Sequence, residues 1–259
     1  DEFPFWVNYH RIPDIDTALM GDWEDKLERI AKQAVSANIT NLTGVPSWML
    51  ILLKRVLTIS GKENISEVWP NLELYMHGGV NFEPYRAQFK TLIPYEKMNY
   101  LEGYNASEGF IGIQDKQTSE GLLLMLDYGI FYEFIPMKKF KKGILKTVPL
   151  RDVELNINYA LVISTNGGLW RYLIGDVIRF TTLSPFRIKI IGRTKSFLNT
   201  FGEELIVENT DKALLETCNT CNALIKDYTV APIFIDTNSG GHQWFIEFST
   251  EPENIDLFK

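Results

Sequence analysis

The segment YNASEG (104–109) sets an aromatic ring, small residues, a hydroxyl and a carboxylate in a row before a glycine. Nucleotide chemistry has a use for each. The Tyr104 face would stack on a purine, and Ser107 would hydrogen-bond an α-phosphate oxygen. Glu108 would hold the Mg²⁺ that neutralises departing pyrophosphate, while Gly109 admits a close backbone approach. A plain strand-end turn with an exposed Glu would use the same residues. In YLIGD (172–176), Asp176 follows a glycine at an expected strand end, where a carboxylate accepts from both ribose hydroxyls. An ordinary Gly-Asp turn fits equally. GRTKSFLNTFGEEL (192–205) places Arg193 to contact ribose or phosphate, with Lys195 and Gly202 as hinge elements; a solvated basic turn is the alternative. In HGGV (77–80), Gly78 and Gly79 would bring backbone to an adenine edge, or make a bare turn.

These groups need a scaffold. The first third reads helical: Trp23, Leu27, Ile30, Ala31, Ala34 and Val35 recur at three- and four-residue spacing after Asp22. A second helix is expected from Pro46, stopped by Gly61. From residue 71 strands dominate. LELYMHGG reads as a short buried strand, PYRAQFKTLI as a helix and NYLEGY as a strand. LLLMLDYG and IFYEFIPM read as neighbouring strands around a turn, and ALVIST and LWRYLIGD as a hairpin about Asn-Gly-Gly. VIRFTT and FRIKIIG flank Ser184-Pro185. Helix, strand, turn and strand follow after residue 202. Strands with packing helices predict a mixed α/β (α+β) fold, with a large domain over 1–194 and the start of a small α+β unit over 195–259.

Composition narrows the function. The 259 residues are 45% hydrophobic and 23% charged, ordinary for a packed core. A net charge of −7 argues against a nucleic-acid surface, which needs basic groups for phosphates. No run approaches the roughly 18 apolar residues that span a bilayer. The start, DEFPFWVNYHRIPD, lacks signal-peptide features, so no membrane association and a cytoplasmic location are expected. Cys218 and Cys221 form a lone C-x-x-C, read as a reduced thiol pair rather than a zinc site. Of His10, His77 and His242, only His77 falls beside the expected pocket.

Order and spacing give these segments their specificity. A glycine pair, aromatic-x-x-Ser-Glu, Gly-Asp and Gly-Arg-x-Lys leading to Gly-Glu follow the series of adenylate-forming enzymes. Together with GVPSWML (44–50), VWPNLELYMHGGV (68–80), YEFIPM (132–137) and GLWRYLIGDVIRF (168–180), the chain resembles the Gretchen Hagen family of acyl acid amido synthetases, in its bacterial branch. The resemblance implies the large-domain portion of an adenylate-forming fold followed by an incomplete small domain. It also implies an ATP- and Mg²⁺-dependent ligase that makes an acyl-adenylate from a carboxylic acid and passes the acyl group to an amine, an amino acid in most of the family. It places Tyr104 on adenine, Ser107 on the α-phosphate, Glu108 on Mg²⁺, Asp176 on ribose and Arg193 on ribose or phosphate, with Lys195 as a catalytic hinge residue. Leu173 stands where the family has Arg. No phosphate loop precedes residue 71 and no adenylation lysine follows, so the chain reads as an internal piece with little activity of its own. Acyl-CoA ligation and a non-catalytic nucleotide-binding role are the rival expectations.

Overall fold

The computed structural model describes residues 4–117, 121–194, 207–234 and 240–258. The chain forms two compact units, residues 1–100 and 101–259. The boundary expected at 194/195 adjoins residues outside the described set, and Lys195 and Gly202 are among those residues.

The first unit runs α1 (Ile15–Ala18), α2 (Trp23–Val35), β1 (Asn41–Gly44), α3 (Pro46–Ser60), α4 (Ile65–Val68), β2 (Leu74–His77) and α5 (Glu83–Leu92). The periodicity after Asp22 becomes α2, whose N-terminus Asp22 caps by accepting from the Asp25 N–H at 2.9 Å. Pro46 opens α3 and Gly61, at φ +66°, closes it in the left-handed region. Strands β1 and β2 pair in parallel. Aromatic rings fill the core: Tyr75 stacks on Phe89 at 4.8 Å, and buried Trp69 donates its indole N–H to the Ala34 carbonyl at 2.9 Å.

The second unit continues with β3 (Asn99–Ala106), β4 (Gly109–Ile113), β5 (Leu122–Leu124), β6 (Ile130–Pro136), α6 (Met137–Phe140), β7 (Val148–Pro149), β8 (Asn158–Thr165), β9 (Tyr172–Leu183) and β10 (Phe186–Arg193). Then come α7 (Val207–Thr220), β11 (Leu224–Phe234), β12 (Gly240–Thr250) and α8 (Ile255–Phe258). Its main sheet is antiparallel in the order β3-β4-β5-β10-β9-β8-β6-β7, and β11 with β12 makes a separate hairpin. One face buries Ile111, Tyr132, Phe134, Tyr159, Leu161, Ile178, Phe180 and Ile188.

Three sequence expectations change. The segments expected to pair around residues 125–129 do not: β5 lies between β4 and β10, whereas β6 pairs with β7 and β8. Apolar runs identify strands, but partners are chosen by burial among distant segments. Asp176 does not end a strand. Gly175, at φ +92°, lies in the irregularity between the Ala160–Val177 and Val162–Leu173 pairs of β8 and β9, and β9 runs on to Leu183 because β10 pairs along it. Finally, α7 stops at Thr220 instead of running to residue 225. Asn222 takes a left-handed φ of +52°, and the Ala223 N–H returns to the Cys218 carbonyl at 3.0 Å. The mixed α/β class is as expected from the alternation of strands and packing helices.

Candidate functional site

The hairpin β9–β10 builds one side of the site. Asp176 and Arg193 are directly opposed across the pair, near the bulge between Ile190 and Gly192. Their side chains meet, with Arg193 Nε 3.3 Å from Asp176 Oδ1. Arg193 Nη2 also donates to the Ile174 carbonyl at 3.2 Å, and the Thr194 N–H donates to the Gly175 carbonyl at 2.7 Å. Gly175 is required twice over. Its φ suits glycine, and a Cβ there would stand 3.2 Å from Arg193 Nη2.

Tyr104 comes from β3, four strands away in the sheet order. At about 4.8 Å per strand a flat sheet would hold the two strands roughly 19 Å apart. The Tyr104 hydroxyl nevertheless donates to Asp176 Oδ2. The sheet therefore coils until its inner face closes on itself, the curvature that right-handed twist makes natural. The Tyr104 ring lies in the closed core at 5% exposure. Burial raises the phenol well above its ordinary pKa, and the Asp176 charge and hydrogen bond raise it further; Arg193 opposes and Glu108 adds to the rise. At neutral pH the hydroxyl is a fixed donor.

Ser107 and Glu108 form the two-residue turn joining β3 to β4, with Ser107 exposed and Glu108 half-buried. Glu108 offers one carboxylate at the tip of a hairpin, and its charge acts on Tyr104. That donor set fits Mg²⁺, which takes one or two carboxylates together with phosphate oxygens and water. Gly78 and Gly79 follow β2 in the first unit; Gly79 has φ +86°, and a Cβ would lie 3.2 Å from Val45 Cγ2.

Tyr104, Asp176 and Arg193 are thus brought into contact, and Ser107 and Glu108 occupy the turn after the strand that carries Tyr104. Lys195 lies outside the described residues. The sequence reading missed the Ile174 carbonyl and the conformational need at Gly175. It also missed an exposed network in which Arg171 donates to Glu133 at 2.9 Å and to Thr147 at 3.1 Å. The signal for that network was the Arg-Tyr pair leading into YLIGD.

No helix among the described residues is long and apolar enough to cross a membrane. The GH3 family N-terminal domain matches residues 3–98, and the GH3 family central domain matches residues 123–193. The chain is 26% identical over 226 residues to the indole-3-acetic acid-amido synthetase GH3.3 of Arabidopsis thaliana, covering 77% of this chain and 36% of that protein. To GH3.2 of the same plant it is 28% identical over 231 residues, covering 76% and 39%. The chain therefore spans about a third of the length of the curated relatives it matches. Among solved structures, the GH3.15 acyl acid amido synthetase superposes with a TM-score of 0.70 at 16% identity, over 93% of this chain and 54% of that one. A 2-hydroxyisobutyryl-CoA ligase in a postadenylation state gives 0.63 at 14% identity, over 86% and 46%. At these identities the likeness establishes a shared fold. With two domains of one family matched across most of its residues, the chain belongs to the GH3 family.

Proposed function

We propose that this chain is part of an ATP-dependent acyl acid amido synthetase and carries its ribose-reading and metal-holding residues. The observation that carries the reading is the Asp176 carboxylate, held between Tyr104 and Arg193 at the edge of a closed apolar core, in a chain of the GH3 family. A fixed carboxylate with a cation beside it suits a nucleoside monophosphate, accepting from ribose hydroxyls while the guanidinium answers the phosphate.

In the reaction so proposed, a substrate carboxylate attacks the α-phosphorus of ATP and pyrophosphate leaves, giving an acyl-adenylate. An amine, by analogy with the named relatives an amino acid, then attacks the acyl carbon and AMP departs. Positioning and charge neutralisation supply most of the catalysis. Ser107 would bond the α-phosphate, and Glu108 would hold a Mg²⁺ ion that offsets charge on the phosphates. Lys195 would serve the hinge.

Calorimetric titration with AMP and Mg²⁺ tests this. AMP should bind to the chain, and Asp176→Ala should weaken binding at least ten-fold while circular dichroism stays unchanged. Equal affinity in the folded Asp176→Ala protein would remove the ribose site from Asp176.

A further inference from the structure

We propose that the lysine-rich loop after β6 is a docking surface for an anionic lipid bilayer, independent of the nucleotide reading given above. Residues 137–146 read MKKFKKGILK, with five lysines and no acidic residue. All five lysines are exposed. Glu133, the nearest acidic residue upstream in the chain, is engaged by Arg171 at 2.9 Å. A chain of net charge −7 thus concentrates five positive charges in ten residues. Exposed charges more than about 10 Å apart are largely screened at roughly 0.1 M salt, so a surface approaching this loop meets its local charge rather than the net charge of the chain.

The fold anchors both ends of the loop on one strand. α6 follows β6 directly, with Met137 buried and Phe140 packed against the cluster of Ile135, Ala160 and Val162. β7 returns to pair with Glu133 and Phe134 of β6, and Thr147 donates to Glu133 at 2.7 Å. Between these anchors the chain turns at Gly143, whose φ is +72°. The Gly143 N–H donates to the Phe140 carbonyl at 2.9 Å, and the Ile144 N–H to the Lys139 carbonyl at 3.0 Å. A helix closed in this way frequently packs the residue after the glycine onto its own last turns. Here the positions that would receive it are Lys138 and Lys139, and Ile144 and Leu145 are 48% and 61% exposed. An aliphatic pair therefore stands in solvent between Lys142 and Lys146. That combination fits a bilayer surface, where ammonium groups stay among anionic headgroups and aliphatic side chains enter the interface. Nucleic acid would satisfy the lysines but has no use for the aliphatic pair, and the loop's single ring, Phe140, is packed on the sheet rather than offered to a base. Lysines without arginine also present point charges instead of fixed bidentate forks, which suits a fluid headgroup layer.

Co-sedimentation with vesicles tests this. The chain should bind vesicles of phosphatidylcholine with roughly 30% phosphatidylserine and not vesicles of phosphatidylcholine alone, and binding should fall steeply as salt is raised. Lys141→Gln combined with Lys142→Gln should weaken binding about 25-fold, from about five-fold for each lysine near an anionic surface. Ile144→Ser combined with Leu145→Ser should weaken it by at least about ten-fold with the charge unchanged. Circular dichroism should be the same in both variants, because all four residues are exposed. An unaltered chain that stays in the supernatant with phosphatidylserine vesicles at low salt overturns the proposal. Vesicle binding indifferent to Ile144→Ser with Leu145→Ser also overturns it, and reassigns the lysines to a polyanion such as nucleic acid or an acidic peptide. Neither result bears on AMP binding, which calorimetry reads separately.

Discussion

His77 should make the first unit sensitive to mild acid. Its ring is 5% exposed, stacked on Phe82 at 4.2 Å and tilted against Tyr75 at 5.6 Å, and its Nδ1 is buried with no hydrogen-bond partner among the described residues. Burial, seconded by the nearby Arg86 cation and opposed by Glu83, lowers its pKa from 6.5 to about 4. Between those values the unfolded chain binds a proton that the folded chain refuses. Stability therefore falls as pH drops below about 6.5, and the loss is complete near pH 4. The full effect is on the order of 3 kcal/mol, of which about 2 kcal/mol is already lost by about pH 5. Carboxylates with lowered pKa, such as Glu28 and Asp115, also lose stability in acid, so a matched variant is needed to isolate the imidazole. His77→Phe keeps an aromatic ring in the stack and removes both the titration and the orphaned nitrogen. Urea unfolding, followed by hydrogen exchange in β2 and α5 at about pH 7 and about pH 5, should show the unaltered chain losing about 2 kcal/mol more than His77→Phe. Equal losses in the two proteins would show that burial does not hold this imidazole neutral.

Other perturbations have definite outcomes. Asp115→Ala strands the Arg187 guanidinium, which is 6% exposed and paired to that carboxylate at 2.5 and 3.0 Å. With Asp115 itself partly exposed, a loss of about 2–3 kcal/mol should appear in urea unfolding of the second unit. Gly175→Ala forces a Cβ onto a backbone at φ +92° and against Arg193, so stability should fall by about 1–2 kcal/mol and AMP affinity should fall in calorimetry. Cys218 and Cys221 are buried, and burial raises the Cys218 thiol above its ordinary pKa. Ellman's reagent should therefore titrate them slowly in the folded chain and rapidly in guanidinium; immediate reaction in native buffer would contradict that.

Local chemistry determined much of this protein without any coordinates. Asp22, Pro46 and Gly61 mark helix ends because capping and glycine's left-handed freedom act over a few residues, and the hairpins about Asn-Gly-Gly and Ser184-Pro185 are likewise local. The types of the candidate groups, Tyr104, Ser107, Glu108, Asp176 and Arg193, were legible for the same reason: their chemistry belongs to the side chain. Tertiary structure decided which of them meet and what each then has left to give. The separation of β5 from β6 and the place of Asp176 within β9 depend on burial among distant strands. The Tyr104 hydroxyl reaches Asp176, 72 residues away, only because the sheet coils, and coiling sums small twists over many strands that no window of sequence contains. The same closure that brings the hydroxyl to the carboxylate also sets the Tyr104 ring among the buried residues of the inner face.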